Sequence, residues 1–349
     1  MQSREKSPTR GRSATRIADV RTDDRNGRDH GRSFRSIGRL GLVTTLAVLF
    51  LITVGGVVRA SESGLGCPDW PTCHGQIIPP LVLQSILEYT HRFVAGIVSV
   101  LVVIFAANAW LRYRSQPWLL VPVSIAVTLL VGEIGLGALV VAHDLTPILV
   151  TIHLGTAQAL FATVICGTAV TYTVLARERK PRVDWYARLA VATVVLTYVL
   201  LLIGSFVTMS SAASACASWP LCGNGLQLPL GEPATLNIVH RLVAATVSIG
   251  VIAMVARVGV ARPTENVLKI QIWAGLGLLI LQVAVGAGLV LWRIPPFTAV
   301  VHLAIATVFF GNLVAAAFLA CFPRNASEAT ASHECRDGFG SPGDVPIGP

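Results

Sequence analysis

The residues of this 349-residue chain whose type and spacing could do chemistry are four histidines placed inside long apolar segments. His91 and His153 recur as His240 and His302, each 149 positions further on. Histidine inside a membrane is costly and marks a functional site by default. A single one is readily explained as a core residue bonded to a neighbouring helix; two positions repeated in two halves are not. Zinc needs three or four ligands close together, and the apolar segments offer only two histidines per half. Paired imidazoles with no further donor are the pattern of a heme clamped on both faces.

Other polar residues accompany the histidines. Arg92 and Arg241 follow His91 and His240 directly, about 100° round a helix. Near the outer surface a guanidinium suits a heme propionate, and equally suits a cation that snorkels to the interface. Glu88 stands three residues before His91, on the same helical face. Its counterpart is Asn237, so the first half alone has an ionisable carboxyl there, open to proton transfer or to a structural ion pair with Arg92. Glu133 is a further carboxyl at membrane depth, with Leu281 or Gln282 near its counterpart and no role assigned.

Cys67 and Cys73, repeated as Cys216 and Cys222, form two Cys-x5-Cys loops with a Trp-Pro in each. Outside the cytoplasm such pairs persist as local disulfides. Cys166, Cys321 and Cys335 have no repeat partner and are expected to be inert. His74 and His143 are expected to be solvated, and His30 and His333 fall in the tails.

The elements that must carry these residues are membrane spans. Only 13% of the chain is charged, against about a quarter in soluble domains. Residues 40–58 contain no charge and are long enough for a hydrocarbon core of about 30 Å. Seven more spans are expected at about 85–110, 118–142, 147–175, 189–209, 236–256, 270–292 and 297–322. Arg39, Gly55, Cys67, Trp70, Pro71, Cys73 and Pro147 recur at the same 149-residue offset as Arg188, Gly204, Cys216, Trp219, Pro220, Cys222 and Pro296, the mark of duplication and fusion. Four spans per unit make the repeats parallel, related by an axis along the membrane normal. The expected fold is all-α: eight transmembrane helices as two tandem four-helix bundles, with cofactor sites in the bundle cores.

The net charge of +9 does not indicate nucleic acid. Eleven of the 27 Lys and Arg lie in the first 39 residues, and most of the others flank the same membrane side. The positive-inside rule then puts both termini in the cytoplasm of a multi-pass cell-membrane protein. The expected divisions are a disordered basic tail (1–38), an N-terminal half (39–180), a C-terminal half (181–323) and a disordered tail (324–349).

The run Gly64-Leu65-Gly66-Cys67-Pro68-Asp69-Trp70-Pro71-Thr72-Cys73-His74-Gly75, followed by Glu88-Tyr89-Thr90-His91-Arg92, resembles heme A synthase, and the second copy with His240, Arg241 and His302 fits it too. The resemblance covers about residues 39–322. It implies oxidation of a ring methyl of heme O to a formyl group through a hydroxymethyl intermediate. It further implies a resident heme b on His240 and His302, a substrate heme between His91 and His153, Glu88 as the catalytic glutamate, and Cys67–Cys73 as the outer disulfide. The partners it implies are heme O itself, the enzyme that produces heme O, cytochrome oxidase assembly, and an electron donor of unknown identity. A diheme cytochrome b type electron-transfer subunit also explains paired histidines. It has no use for Glu88 against Asn237, nor for the cysteine loops. A parallel-repeat transporter predicts broken helices, for which the spans give no clear sign.

Overall fold

The computed structural model describes residues 11–175, 180–210, 212–220, 222, 231–292 and 297–323, with only the backbone given for 11–34 and 232. Eight of its helices are long and apolar enough to cross a membrane. They are α1 (Gly11–Ala60), α2 (Leu83–Arg112), α3 (Pro117–Ala142), α4 (Pro147–Val170), α5 (Trp185–Met209), α6 (Glu232–Ala261), α7 (Asn266–Leu291) and α8 (Phe297–Cys321). Pro117 and Pro147 open α3 and α4, where a missing N–H costs nothing because the first helical amides are unpaired anyway. Asp184 caps α5 by accepting from the Ala187 amide at 3.0 Å. α4 relaxes into a π-helical turn at Thr171–Leu175.

The apolar part of α1 is Arg35–Ala60. Residues 11–34, expected to be disordered, instead continue that helix as backbone. Once the span is helical, each added residue propagates an existing helix and needs no new nucleus, and no proline falls between Gly11 and Ala60 to stop it. The segment 324–349, with His333 and Cys335, lies outside the described residues, as do Pro296 and the His30 side chain.

Within each half the helices form a ring. α1 packs on α2 and α4, and α3 on α2 and α4; likewise α5 packs on α6 and α8, and α7 on α6 and α8. The histidine-bearing helices α2 and α4, and α6 and α8, therefore face each other diagonally across a bundle interior. The halves join through α1–α8, its mirror α4–α5, and α4–α8. At the seam Gln158 donates to Thr307 Oγ1 at 2.8 Å, both fully buried. These two residues are 149 apart, so a residue touches its own repeat counterpart there, as happens on a twofold axis. The largest apolar cluster crosses this seam and includes Val48, Leu160, Phe161, Phe310 and Val314. Phe93, Ile97 and Val100 on α2 and Leu242, Ile249 and Ile252 on α6 are exposed, the lipid-facing stripe of a span.

Candidate functional site

Each of the four imidazoles packs against a glycine on a neighbouring helix. A Cβ placed on Gly55, Gly204 or Gly286 would stand 3.1, 3.0 or 3.0 Å from Cε1 of His91, His240 or His302. At Gly137 the distance to His153 Cε1 is 3.5 Å. Glycine lets the ring lie edge-on against the backbone, and a larger residue would push it toward the bundle centre. Within a half the two rings sit on helices that face each other across the bundle, His91 on α2 with His153 on α4 and His240 on α6 with His302 on α8. The Nδ1 atoms of all four rings are buried and lack a hydrogen bond. Two facing imidazoles per bundle, each seated on glycine and carrying an uncommitted nitrogen, fit a flat macrocycle held on both faces. Among the described residues no three His, Cys, Asp or Glu gather into another metal set.

A polar residue lies beside the second histidine of each half. Glu133 Oε1 lies 3.1 Å from His153 Nδ1, off the line of a hydrogen bond, and its Oε2 is buried without a partner. Gln282 Nε2 lies 3.1 Å from His302 Nε2. The offset is again 149, which settles the counterpart of Glu133 as Gln282 and not Leu281. Gly137 and Gly286 keep the same offset, and nothing in the sequence signals that they or this pair touch the histidines.

The cysteine loops are bridged as Cys67–Cys73 and Cys216–Cys222, with Cα separations of 4.6 and 4.9 Å. Each is latched to the following helix by the arginine after the histidine. Arg92 Nη1 donates to the carbonyls of Asp69 and Thr72 at 2.7 Å, and Nη2 to Cys67 O at 2.8 Å and Glu88 Oε1 at 2.5 Å. Glu88 Oε2 accepts from the Cys67 amide at 3.0 Å. Gly66 makes this closeness possible, since a Cβ there would be 2.3 Å from the Gln84 carbonyl oxygen. Asp69 ties the loop tip together by accepting from Thr72, His74 and Gly75, which holds its carboxyl down at about 2, Thr72 contributing most.

The second loop repeats the latch with one difference. Arg241 Nη1 donates to Ser218 O and Pro220 O at 2.8 and 2.9 Å, and Nε to Asn237 Oδ1 at 2.8 Å. Asn237 Nδ2 donates to Ala212 O at 3.2 Å. Arg241 Nη2 is buried without a partner. Of the two expected propionate partners, then, Arg241 keeps a free donor, while both terminal nitrogens of Arg92 are consumed by the loop carbonyls and the Glu88 carboxylate. His74 and His143 bond to carbonyls of Gly66 and Leu139 and are exposed, as expected. Cys166 and Cys321 are free thiols.

The fold and its imidazole clamps define an eight-span membrane protein duplicated from a four-helix unit. A model of the COX15-CtaA family, described as cytochrome oxidase assembly protein, matches residues 38–86 and 82–314. The chain belongs to that family. It is 31% identical to the heme A synthase of Bacillus licheniformis over 293 residues, 80% of this chain and 94% of that protein. Heme A synthases of Geobacillus kaustophilus and Geobacillus thermodenitrificans are each 28% identical, covering 86% and 88% of this chain and 96% and 99% of theirs.

Proposed function

We propose that this protein is a membrane oxidoreductase that converts heme O to heme A by oxidising a ring methyl to a formyl group through a hydroxymethyl intermediate. The observation that carries this reading is the pair of glycine-seated histidine clamps in a chain similar to heme A synthases along nearly their full length. The two clamps are given different tasks. The C-terminal half (181–323) holds a resident heme b on His240 and His302. Held between two imidazoles, that heme would supply electron transfer, and Arg241 Nη2, which has no partner, would be available to bind its propionate. The N-terminal half (39–180) takes heme O between His91 and His153. With water as the oxygen donor, methyl plus water gives hydroxymethyl with release of two electrons and two protons, and hydroxymethyl gives formyl with release of two more of each, so a proton acceptor must lie near the methyl and an external electron acceptor is required.

Glu88 is assigned the proton-handling role. Its carboxylate uses two of its roughly four acceptor directions, on Cys67 N and Arg92, and keeps capacity for a third partner. A positioning role is the second reading, favoured by the same ion pair and by the uncharged repeat of that contact at Asn237–Arg241. Glu88→Gln separates them. Proton handling predicts normal yield and heme b with loss of heme A formation. Near-normal product per bound heme b would leave only positioning. The basic loops favour a cytoplasmic position for both termini; on this reading heme O arrives from the enzyme that produces it and heme A passes on to cytochrome oxidase assembly. The whole reading is tested by extracting heme from membranes of cells that make heme O, with and without this chain. Appearance of heme A only with the chain is expected; heme O unchanged in both would refute it.

A further inference from the structure

We infer that Arg59 is the propionate-binding residue of the substrate half, in place of the loop-bound Arg92; this rests on the assignment of His91 and His153 to heme O. Arg59 lies in the last turn of α1, four residues after Gly55, and so on the same helical face one turn nearer the outer end. Gly55 is the seat of the His91 ring, which puts Arg59 above the imidazole clamp on the side where the cysteine loop closes the bundle. Its side chain is half-buried and has no hydrogen bond or ion pair among the described residues. A cation at a helix C-terminus is favoured by the helix dipole, but that leaves its N–H donors unspent. A desolvated guanidinium seeks an anion, and a carboxylate matches its fork.

The repeat supplies a control within the same molecule. The residue equivalent to Arg59 is Thr208, four after Gly204; it is exposed, and its hydroxyl donates back to Gly204 O at 2.8 Å. In the second half the unspent guanidinium N–H belongs to Arg241 instead. Among the described residues, each half thus has one arginine with donors to spare near its outer end. The exchange has a cause: Glu88 draws Arg92 Nη2 into the loop latch, whereas Asn237 engages Arg241 only through Nε. The alternative anion for Arg59 is a lipid phosphate at the interface.

The test uses the purified holoprotein with its resident heme b, titrated with heme O and with the dimethyl ester of heme O, which has no carboxylate. Binding is read from the absorbance change and folding from the heme b spectrum. Wild type should bind heme O about tenfold more tightly than the ester, the worth of one charge-assisted hydrogen-bonded pair. Arg59→Ala should lose that advantage for heme O and leave ester binding unchanged, Arg59→Lys should keep part of it, and Thr208→Ala should alter neither. Equal heme O affinity in wild type and Arg59→Ala, with heme b intact, would overturn the inference and leave Arg59 to a lipid phosphate. If wild type takes up no heme O at all, the substrate-half assignment itself fails, a result distinct from the first.

Discussion

The two halves of the molecule share a ring of four helices, glycine-seated histidines and a latched disulfide loop, yet differ at three places near the clamps. The first half has Glu88, Glu133 and Arg59; the second has Asn237, Gln282 and Thr208. Each difference places an ionisable group in the first half where the second has a neutral one. Buried charge is retained where it is used or paired, because desolvating it is expensive. On the proposed assignment the second half holds a closed electron carrier and needs no proton-handling group, while the first binds a dianionic substrate and moves protons, so the ionisable groups fall where that assignment needs them.

Changes at the histidines should break the comparison most severely. His240→Ala or His302→Ala should abolish the low-spin heme b spectrum, whereas His91→Ala or His153→Ala should keep it and lose heme A formation. A full complement of six-coordinate heme in His240→Ala protein would show that the ligands are misassigned. The next effect in size is at the ring seats. Gly204→Val brings bulk within about 3 Å of the His240 ring and should strip most heme b from protein purified at normal yield. Gly55→Val should spare heme b and depress heme O binding instead. Similar loss of heme b from both variants would mean that the seats are not independent.

A milder change tests the latch. Asn237→Glu should pull Arg241 Nη2 into the loop, as Glu88 does to Arg92, and so remove the propionate contact of the resident heme. Heme b should dissociate several-fold faster on competition with an apo-globin acceptor, and an unchanged rate would argue that Arg241 does not touch it. The smallest effect is expected at the opposite end of the second half. There Arg262 bonds Asp184 and the Ala320 carbonyl, at 2.9 and 3.0 Å, and covers the Tyr186 ring. That hydrogen bond, chiefly, holds the Asp184 carboxyl down at about 2. A depressed carboxyl stabilises the fold above its unfolded pKa of about 4 and loses that contribution as pH falls toward about 2. Asp184→Asn should therefore lower the melting temperature by only a few degrees at neutral pH and by less at pH 3, followed through the heme b absorbance. A difference that grows on acidification would contradict the assignment.

Much of this architecture was legible in the chain itself. Eight apolar runs, an ungapped offset of 149 and four histidines at the starts of alternate spans determine the spans, the duplication and which helices carry the histidines, because burial in lipid and helical period write themselves into residue type. The disulfide loops followed from their spacing in the same way. What the chain did not reveal is which polar group meets which. That Arg92 is spent on loop carbonyls, that Arg241 keeps a free Nη2, and that Glu133 and Gln282 lie beside His153 and His302 depend on how far each helix is rotated toward its neighbour. So does the contact of Gln158 with its own counterpart Thr307 across the seam. Hydrogen bonds are short and directional, and the long side chains that make them can reach several partners from one backbone position. Only the packed helices choose among those partners.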